Sequence, residues 1–296
     1  MKKHPLLLGF LVFGVLVGLF FITIFILSYF SGREESLWRD EKIAIIEVRG
    51  VIIDPQPTVE KLIKFRKNEK IKAIILRVDS PGGAVGPAQE IYSEVKKVQR
   101  EKKVLVSMGS VAASGGYYVA CAADKIMANP GTITGSIGVI VESLNVEDLF
   151  RKICLRPEVI KSGRHKDIGS PFRKMKPEEK RLLQGVLDNV HEQFIRAVAE
   201  GRRLPLEKVR SLADGRIFSG DQAKTMGLVD ELGNLQDTIA LAAKMAGIQG
   251  EPEVIYPEKK RFSLLDLLLG ETFLRFLESR GETFPQLYFL FSLPQR

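Results

Sequence analysis

From Ile43 onward the apolar positions fall into short β-branched runs, separated by stretches whose apolar residues recur every three or four places. That alternation predicts an α/β domain in which strands and amphipathic helices take turns. Ile43 to Val48 reads as a strand and Val59 to Asn68 as a helix. Ala73 to Val78 reads as a buried strand that stops at the breaker cluster Asp79-Ser80-Pro81-Gly82-Gly83. Pro87 then opens a helix with Ala88, Ile91, Tyr92, Val95 and Val98 on one face. The strand Val104 to Met108 gives way to an Ala-rich helical run, Tyr117 to Ala123. Further strands are expected at Ile126 to Ala128, Ile137 to Val141 and Leu155 to Ile160, with a turn-rich stretch from Asn129 to Ser136 and a polar loop from Lys161 to Lys174. Pro177-Glu178-Glu179 starts a long amphipathic helix that carries Leu183, Leu187, Val190, Phe194 and Val198 and ends at Gly201. A strand at Ile217 leads into a capped helix, Gly227 to Gly233 forms a short strand and turn, and the core is expected to close near Gly247.

Two apolar segments lie outside this pattern. Leu6 to Phe30 is an uncharged run of 25 residues, about 37 Å as a helix, which exceeds a bilayer's hydrocarbon core of roughly 30 Å. Its length and the absence of an Ala-x-Ala site favour an uncleaved anchor over a signal peptide. Lys2 and Lys3 precede it without an acid, so the N-terminus is expected in the cytoplasm and the rest of the chain on the outer face of the cytoplasmic membrane. Phe262 to Arg296 holds six of the 17 phenylalanines, and neither half of it is long enough to cross a bilayer. Its extended-looking stretch Leu287 to Leu293 suits an internal ligand for a neighbouring groove. The organisation expected is therefore residues 1–40 as tip, anchor and stalk, 41–250 as the folded domain and 251–296 as an apolar tail.

The net charge of +8 is dispersed and accompanied by no recognition motif, so nucleic acid is not an expected partner. Cys121 and Cys154, without metal spacing, read as two buried free thiols. The run from Gly131 to Val139 lacks a Gly-Lys-Ser/Thr ending and leads to a strand, which argues against a phosphate cradle. No cofactor or metal is implied.

Candidate chemistry centres on Ser114, in Ala113-Ser114-Gly115-Gly116-Tyr117-Tyr118, where a strand-like run meets a helix-like one. A helix N-terminus offers free N–H groups and a positive dipole end to developing negative charge. A serine hydroxyl needs a base within reach. Of three histidines only His165 is placed to serve. The alternative is a lysine, which must be neutral to act, its pKa lowered from about 10.4 toward 7 or 8 by burial. Ser136 or Thr134 could hold such an amine in place. Backbone N–H groups at Gly115 and in the Gly82-Gly83 pair could form an oxyanion hole.

Taken together, the motifs at Asp79–Gly83, Ala113–Tyr118, Thr134–Val139, Gly163–Asp167 and Gly215–Gly220 resemble those of the signal peptide peptidase family of the SppA type over about Ile43 to Gly247. The resemblance implies a crotonase/Clp-protease-like α/β fold with a repeated ββα core behind an N-terminal transmembrane helix. It further implies a Ser/Lys serine endopeptidase with Ser114 as nucleophile, Lys166 as general base and acid, Ser136 orienting the lysine, and Gly83 and Gly115 as oxyanion donors. Family substrates are remnant signal peptides. Half-length relatives form homo-octamers in which the lysine comes from the adjacent subunit. A crotonase-type acyl-CoA enzyme and an inactive membrane scaffold are the competing readings.

Overall fold

A computed structural model describes residues 14–24, residues 41–256 and the backbone of residues 288–290. Helix α1, residues 14–24, is exposed throughout. The remainder of the expected 6–30 span lies outside the described residues, among which no helix is long and apolar enough to cross a membrane.

The centre of the fold is parallel sheet. Strands β1 (Lys42–Ile52), β2 (Ile71–Ala84) and β3 (Lys103–Ala113) lie side by side in the order β3-β2-β1. Their continuous apolar runs are those of strands covered on both faces. Successive side chains alternate between those faces. Ile43, Ile45, Ala73, Ile75 and Leu105 pack with Ile239, Ala242 and Ala243 of helix α9 (Leu235–Ala246). Ala44, Ile46, Ile74, Leu76, Val104 and Val106 face the larger core. That core is completed by α2 (Gln56–Lys67), α3 (Val85–Gln99), α4 (Gly115–Ala120) and the second half of α6 (Pro177–Arg202). Helix α5 (Glu147–Lys152) contributes nothing buried.

The sheet continues through β4 (Lys125–Ala128) and β5 (Ile133–Gly135), both parallel to β3, and β6 (Ile217–Ser219), antiparallel to β5. After α7 (Leu206–Leu212) and β6, Ser219 caps α8 (Gly220–Met226) by accepting from Gln222 N, as expected from the sequence. Strand β7 (Glu231–Leu232) pairs with β4. Strand β8 (Glu253–Ile255) pairs with β1, so the sheet reaches past the closure expected near Gly247.

Four sequence expectations are corrected. Strand β2 does not stop at Asp79; it runs through Pro81-Gly82-Gly83 to Ala84. Pairing with β3 ends at Ser80 opposite Ala112, and β1 shifts register between Arg49 and Val51 to follow β2 onward. Proline fits there because one edge of the strand has been released. No strand forms at Ile137 to Val141: the pairing residues are Ile133–Gly135, and the chain turns off the sheet at Ser136 (φ 50°), whose N–H donates to Arg216 O at 2.8 Å. No strand forms at Leu155 to Ile160 either, where every residue is exposed and Pro157 interrupts the run. Of the two free cysteines only Cys121 is buried, its thiol pushed up to about 12 mainly by burial; Cys154 is exposed, not buried as expected.

Candidate active site

Three neighbouring strands end on one side of the sheet, and each delivers an expected site residue there. β2 ends with Gly82-Gly83-Ala84, β3 with Ala113 just before Ser114, and β5 with Gly135 just before Ser136. Their pairing fixes the relation: Ala113 lies opposite Gly135, Ala112 opposite both Ser80 and Thr134. Open α/β sheets place their sites at the carboxyl ends of strands.

Ser114 is the N-cap of α4 with φ 52° and ψ −117°, a conformation unusual for any residue but glycine. Backbone strain of this kind costs of order 1–3 kcal/mol and persists only where the surroundings over-determine it. Here they do. Ser114 N–H donates to Gly135 O at 2.9 Å, and Ser114 O accepts from Tyr118 N at 2.8 Å. Tyr117 is fully buried and donates from its hydroxyl to Leu228 O at 2.8 Å, which pins the helix that follows. Gly116 allows the helix to seat on β2, since a Cβ there would lie 2.8 Å from Ser80 O. The Ser114 hydroxyl does not cap α4 and has no hydrogen-bond partner among the described residues. With its own N–H committed to Gly135, Ser114 leaves the N–H of Gly115, at the first position of α4, as the helix-end donor next to it.

Ser136 is the second non-glycine residue of the site with a positive φ, 50°, and is buried. The bond from Ser114 N–H to Gly135 O couples the two serines through one peptide unit. Thr134, the other hydroxyl considered for holding an amine, is already engaged: its Oγ1 donates to Ala112 O at 2.7 Å. Ser136 Oγ, by contrast, makes no hydrogen bond among the described residues and keeps both its proton and its lone pairs available.

Gly83 needs to be glycine for a steric reason independent of chemistry. A Cβ there would lie 2.1 Å from Ile52 O of the adjoining strand. Gly82 takes φ 110°, and its N–H donates to Ser80 Oγ at 3.1 Å.

Strand β9 (Tyr288–Leu290) pairs antiparallel with this end of β2, Gly82 opposite Leu290, Gly83 opposite Phe289 and Ala84 opposite Tyr288. Val51 and Ile52 of β1 already hold one edge of Gly82 and Gly83. Strand β9 therefore occupies the other edge, the one β3 leaves after Ser80 as it turns toward Ser114. Residues 288–290, within the stretch expected to act as an internal ligand, thus lie along a strand edge of their own chain; the rest of the apolar segment falls outside the described residues.

Lys166 is not brought to Ser114 within the protomer. It is exposed, in a run of turns from 162 to 169, and its side chain bonds to neither serine. His165, the other candidate base, points its Nε2 toward Glu178 Oε1 at 3.8 Å, at the start of α6, and leaves Nδ1 buried without a partner among the described residues. Segment 151–164 is exposed throughout, and Ile140, Leu144, Leu149, Val159, Leu182 and Val186, on this segment and the elements that flank it, are exposed apolar side chains.

Sequence reasoning missed the ionic cluster that organises the arm's return. Arg173 donates to both oxygens of Glu179 at 2.7 and 2.8 Å and to Asp167 Oδ2 at 2.8 Å. The signal available was an acid at the third position of a Pro-initiated helix with an arginine six residues before it. That spacing is too generic to single out.

Comparison with known proteins agrees with this geometry. A model described as peptidase family S49 matches residues 96–249, and one described as Clp protease matches 42–133. The chain is 47% identical to "Putative protease slr0021" of Synechocystis sp. over 70% of its own length and 76% of that protein. It is 37% identical to "Serine protease SPPA, chloroplastic" of Arabidopsis thaliana over 75% of its length and 33% of that protein. It is 36% identical to "Putative signal peptide peptidase SppA" of Enterococcus faecium over 68% of its length and 62% of that protein.

Proposed function

Since this chain belongs to peptidase family S49, we propose that it is a membrane-anchored serine endopeptidase that cleaves remnant signal peptides at the outer face of the cytoplasmic membrane with a Ser114/Lys166 dyad. The observation that carries this reading is Ser114 itself, a buried serine held in a strained φ at the N-cap of α4 with an uncommitted hydroxyl. Ser114 Oγ attacks the scissile carbonyl while a neutral Lys166 amine takes its proton. The resulting oxyanion is received by the N–H groups of Gly115 and Gly83, each worth roughly 10²–10³ in rate. Lysine then returns the proton to the departing amine, leaving an acyl-serine, and a water activated by the same amine releases the acid.

The lysine comes from an adjacent protomer. Supporting this are the exposure of Lys166 and the apolar surface of its arm, which a second copy of the chain would cover, as in the homo-octamer implied by the family. Closure there would also bury the amine, the condition that favours its neutral form. Residues 6–30 provide the anchor, with the N-terminus cytoplasmic.

Substrate lies as an extended strand along the edge of β2 at Gly82–Ala84. The antiparallel seat of β9 supports that direction of binding. A tethered occupant competes at high effective concentration. Truncation before Glu282 is expected to lower the apparent KM for a signal-peptide substrate roughly tenfold; kinetics identical to the full chain would remove the tail from the groove.

The reading as a whole is tested by offering the purified, detergent-solubilised protein a signal peptide and an acyl-CoA thioester in parallel. Peptide cleavage without thioester turnover is expected. The reverse pattern would make it a crotonase-type enzyme, and neither activity an inactive scaffold.

A further inference from the structure

The arm that carries Lys166 is held at its far end, where Phe172 packs on Phe150 of α5 with ring centroids 4.8 Å apart and Pro171 O accepts from Val146 N at 2.7 Å, but its first part is exposed. Between the end of α5 and the start of α6 the chain forms neither strand nor helix, and from 151 to 164 no residue is shielded from solvent. Hydrophobic packing by itself does not fix the Lys166 turn, since no side chain from 161 to 170 is buried. An arginine can, because its planar fork donates in several fixed directions at once.

Arg173 uses that capacity in full. One side of its guanidinium grips Glu179 through both carboxylate oxygens, and Glu179 is buried at the first turn of α6, where it also accepts Lys176 N at 2.9 Å. The other side grips Asp167, Nε donating to Oδ2 at 2.8 Å and Nη2 to the backbone O at 3.1 Å. Lys161 closes the far side of Asp167 with its ammonium. Asp167 is the residue after Lys166, and its backbone carbonyl is among the groups held. On the other flank His165 and Arg164 face Glu178, again on the first turn of α6. Lys166 thus sits between Asp167, which Arg173 holds, and Arg164, two residues before it, which bonds Glu178 at 2.6 Å.

We propose that Arg173 is a positioning residue that fastens the Lys166 turn to the rigid start of α6, so that the amine meets Ser114 of the adjacent protomer in one place. The proposal rests on the adjacent-protomer reading given above. Its acid limit is remote from the working range. The Arg173 guanidinium, and next the Lys176 N–H, lower Glu179 to about 2, and Arg173 with Lys161 holds Asp167 well below the usual carboxylate range. Carboxyls depressed in the folded state contribute stability that is fully present above their unfolded values near 4 and lost as pH falls through the folded ones. Near neutrality the clamp is closed, so Asp167 and Glu179 add no step to the pH profile there.

The test uses full-length chains co-expressed in pairs with two affinity tags and purified as mixed assemblies in detergent. Ser114→Ala supplies only the lysine, and Lys166→Ala supplies only the serine. Arg173→Lys, which keeps the charge and loses the fork, is added to one member or the other. On the lysine donor it is expected to cut kcat of the mixture at least tenfold with KM unchanged within threefold. On the serine donor it is expected to leave both constants within twofold, which also shows that the variant folds and assembles. Asp167→Asn, which spares the Arg173–Glu179 contact, should give the same asymmetry. Equal losses in both arrangements, with the parent mixture active, would overturn the proposal and leave the dyad standing. No activity in the parent mixture would refute delivery across protomers and the proposal with it.

Discussion

Ser114→Ala is expected to reduce peptide hydrolysis by on the order of 10⁴-fold or more without unfolding the protein, because the hydroxyl it removes makes no structural hydrogen bond among the described residues. The strained backbone is held by Gly135 O and by the α4 turn, not by the side chain, so alanine inherits the same conformation. Lys166→Ala should cost about 10²–10⁴-fold, the range for loss of a positioned general base. Since Lys166 is exposed in its own protomer, its removal takes away no packing. Circular dichroism and assembly size unchanged from the parent, with turnover lost, is the expected pattern for both variants. Turnover within tenfold of the parent in Ser114→Ala would exclude it as the nucleophile.

The second large effect is a recovery. Assemblies of Ser114→Ala alone or of Lys166→Ala alone should be inactive, whereas a one-to-one mixture should regain about a quarter of parental activity, the chance that a serine-bearing protomer sits beside a lysine-bearing one in a closed ring. The structure motivates this because no hydrogen bond joins the two residues within one chain. Ser114 is sealed at the carboxyl end of β3, and Lys166 sits on an arm with no buried side chain from 151 to 164. Activity measured on doubly tagged material checks it. A mixture no more active than its components would place both halves of the dyad in one chain, and the arm would then have to fold back onto its own strand ends.

Much of the fold was readable because the parallel strands are buried on both faces and so carry unbroken apolar runs, as in Ile43–Ile46 and Ile74–Leu76. The long helix from Pro177 was equally clear, with its start set by Pro177 and Glu179 and its apolar period carried to Val198. What stayed hidden depends on partners distant in sequence. Pro81-Gly82-Gly83 reads locally as a stop, and it remains strand because β1 follows it and β3 departs. Leu155 to Ile160 offers apolar residues at both ends, but Pro157 and Glu158 lie between them and the segment stays exposed.

The site divides the same way. Ser114 was legible from the strand-to-helix junction, and Ser136 from the family motif around it. The bond that joins their backbones, Ser114 N–H to Gly135 O, requires the register of β3 on β5 and leaves no trace in spacing. Gly83 was expected for its N–H, but its most direct constraint is the contact with Ile52. Arg173 escaped notice because charged residues in polar loops are usually solvated, and only the fold shows that Glu179 is buried beneath it.

The most direct measurement is covalent capture of the nucleophile by a serine-reactive phosphonate, located by peptide mapping and timed in the parent assembly and in Lys166→Ala. The account predicts one adduct, on Ser114, whose formation slows at least about a hundredfold without the lysine. An adduct on another residue, or equal rates with and without Lys166, would contradict it.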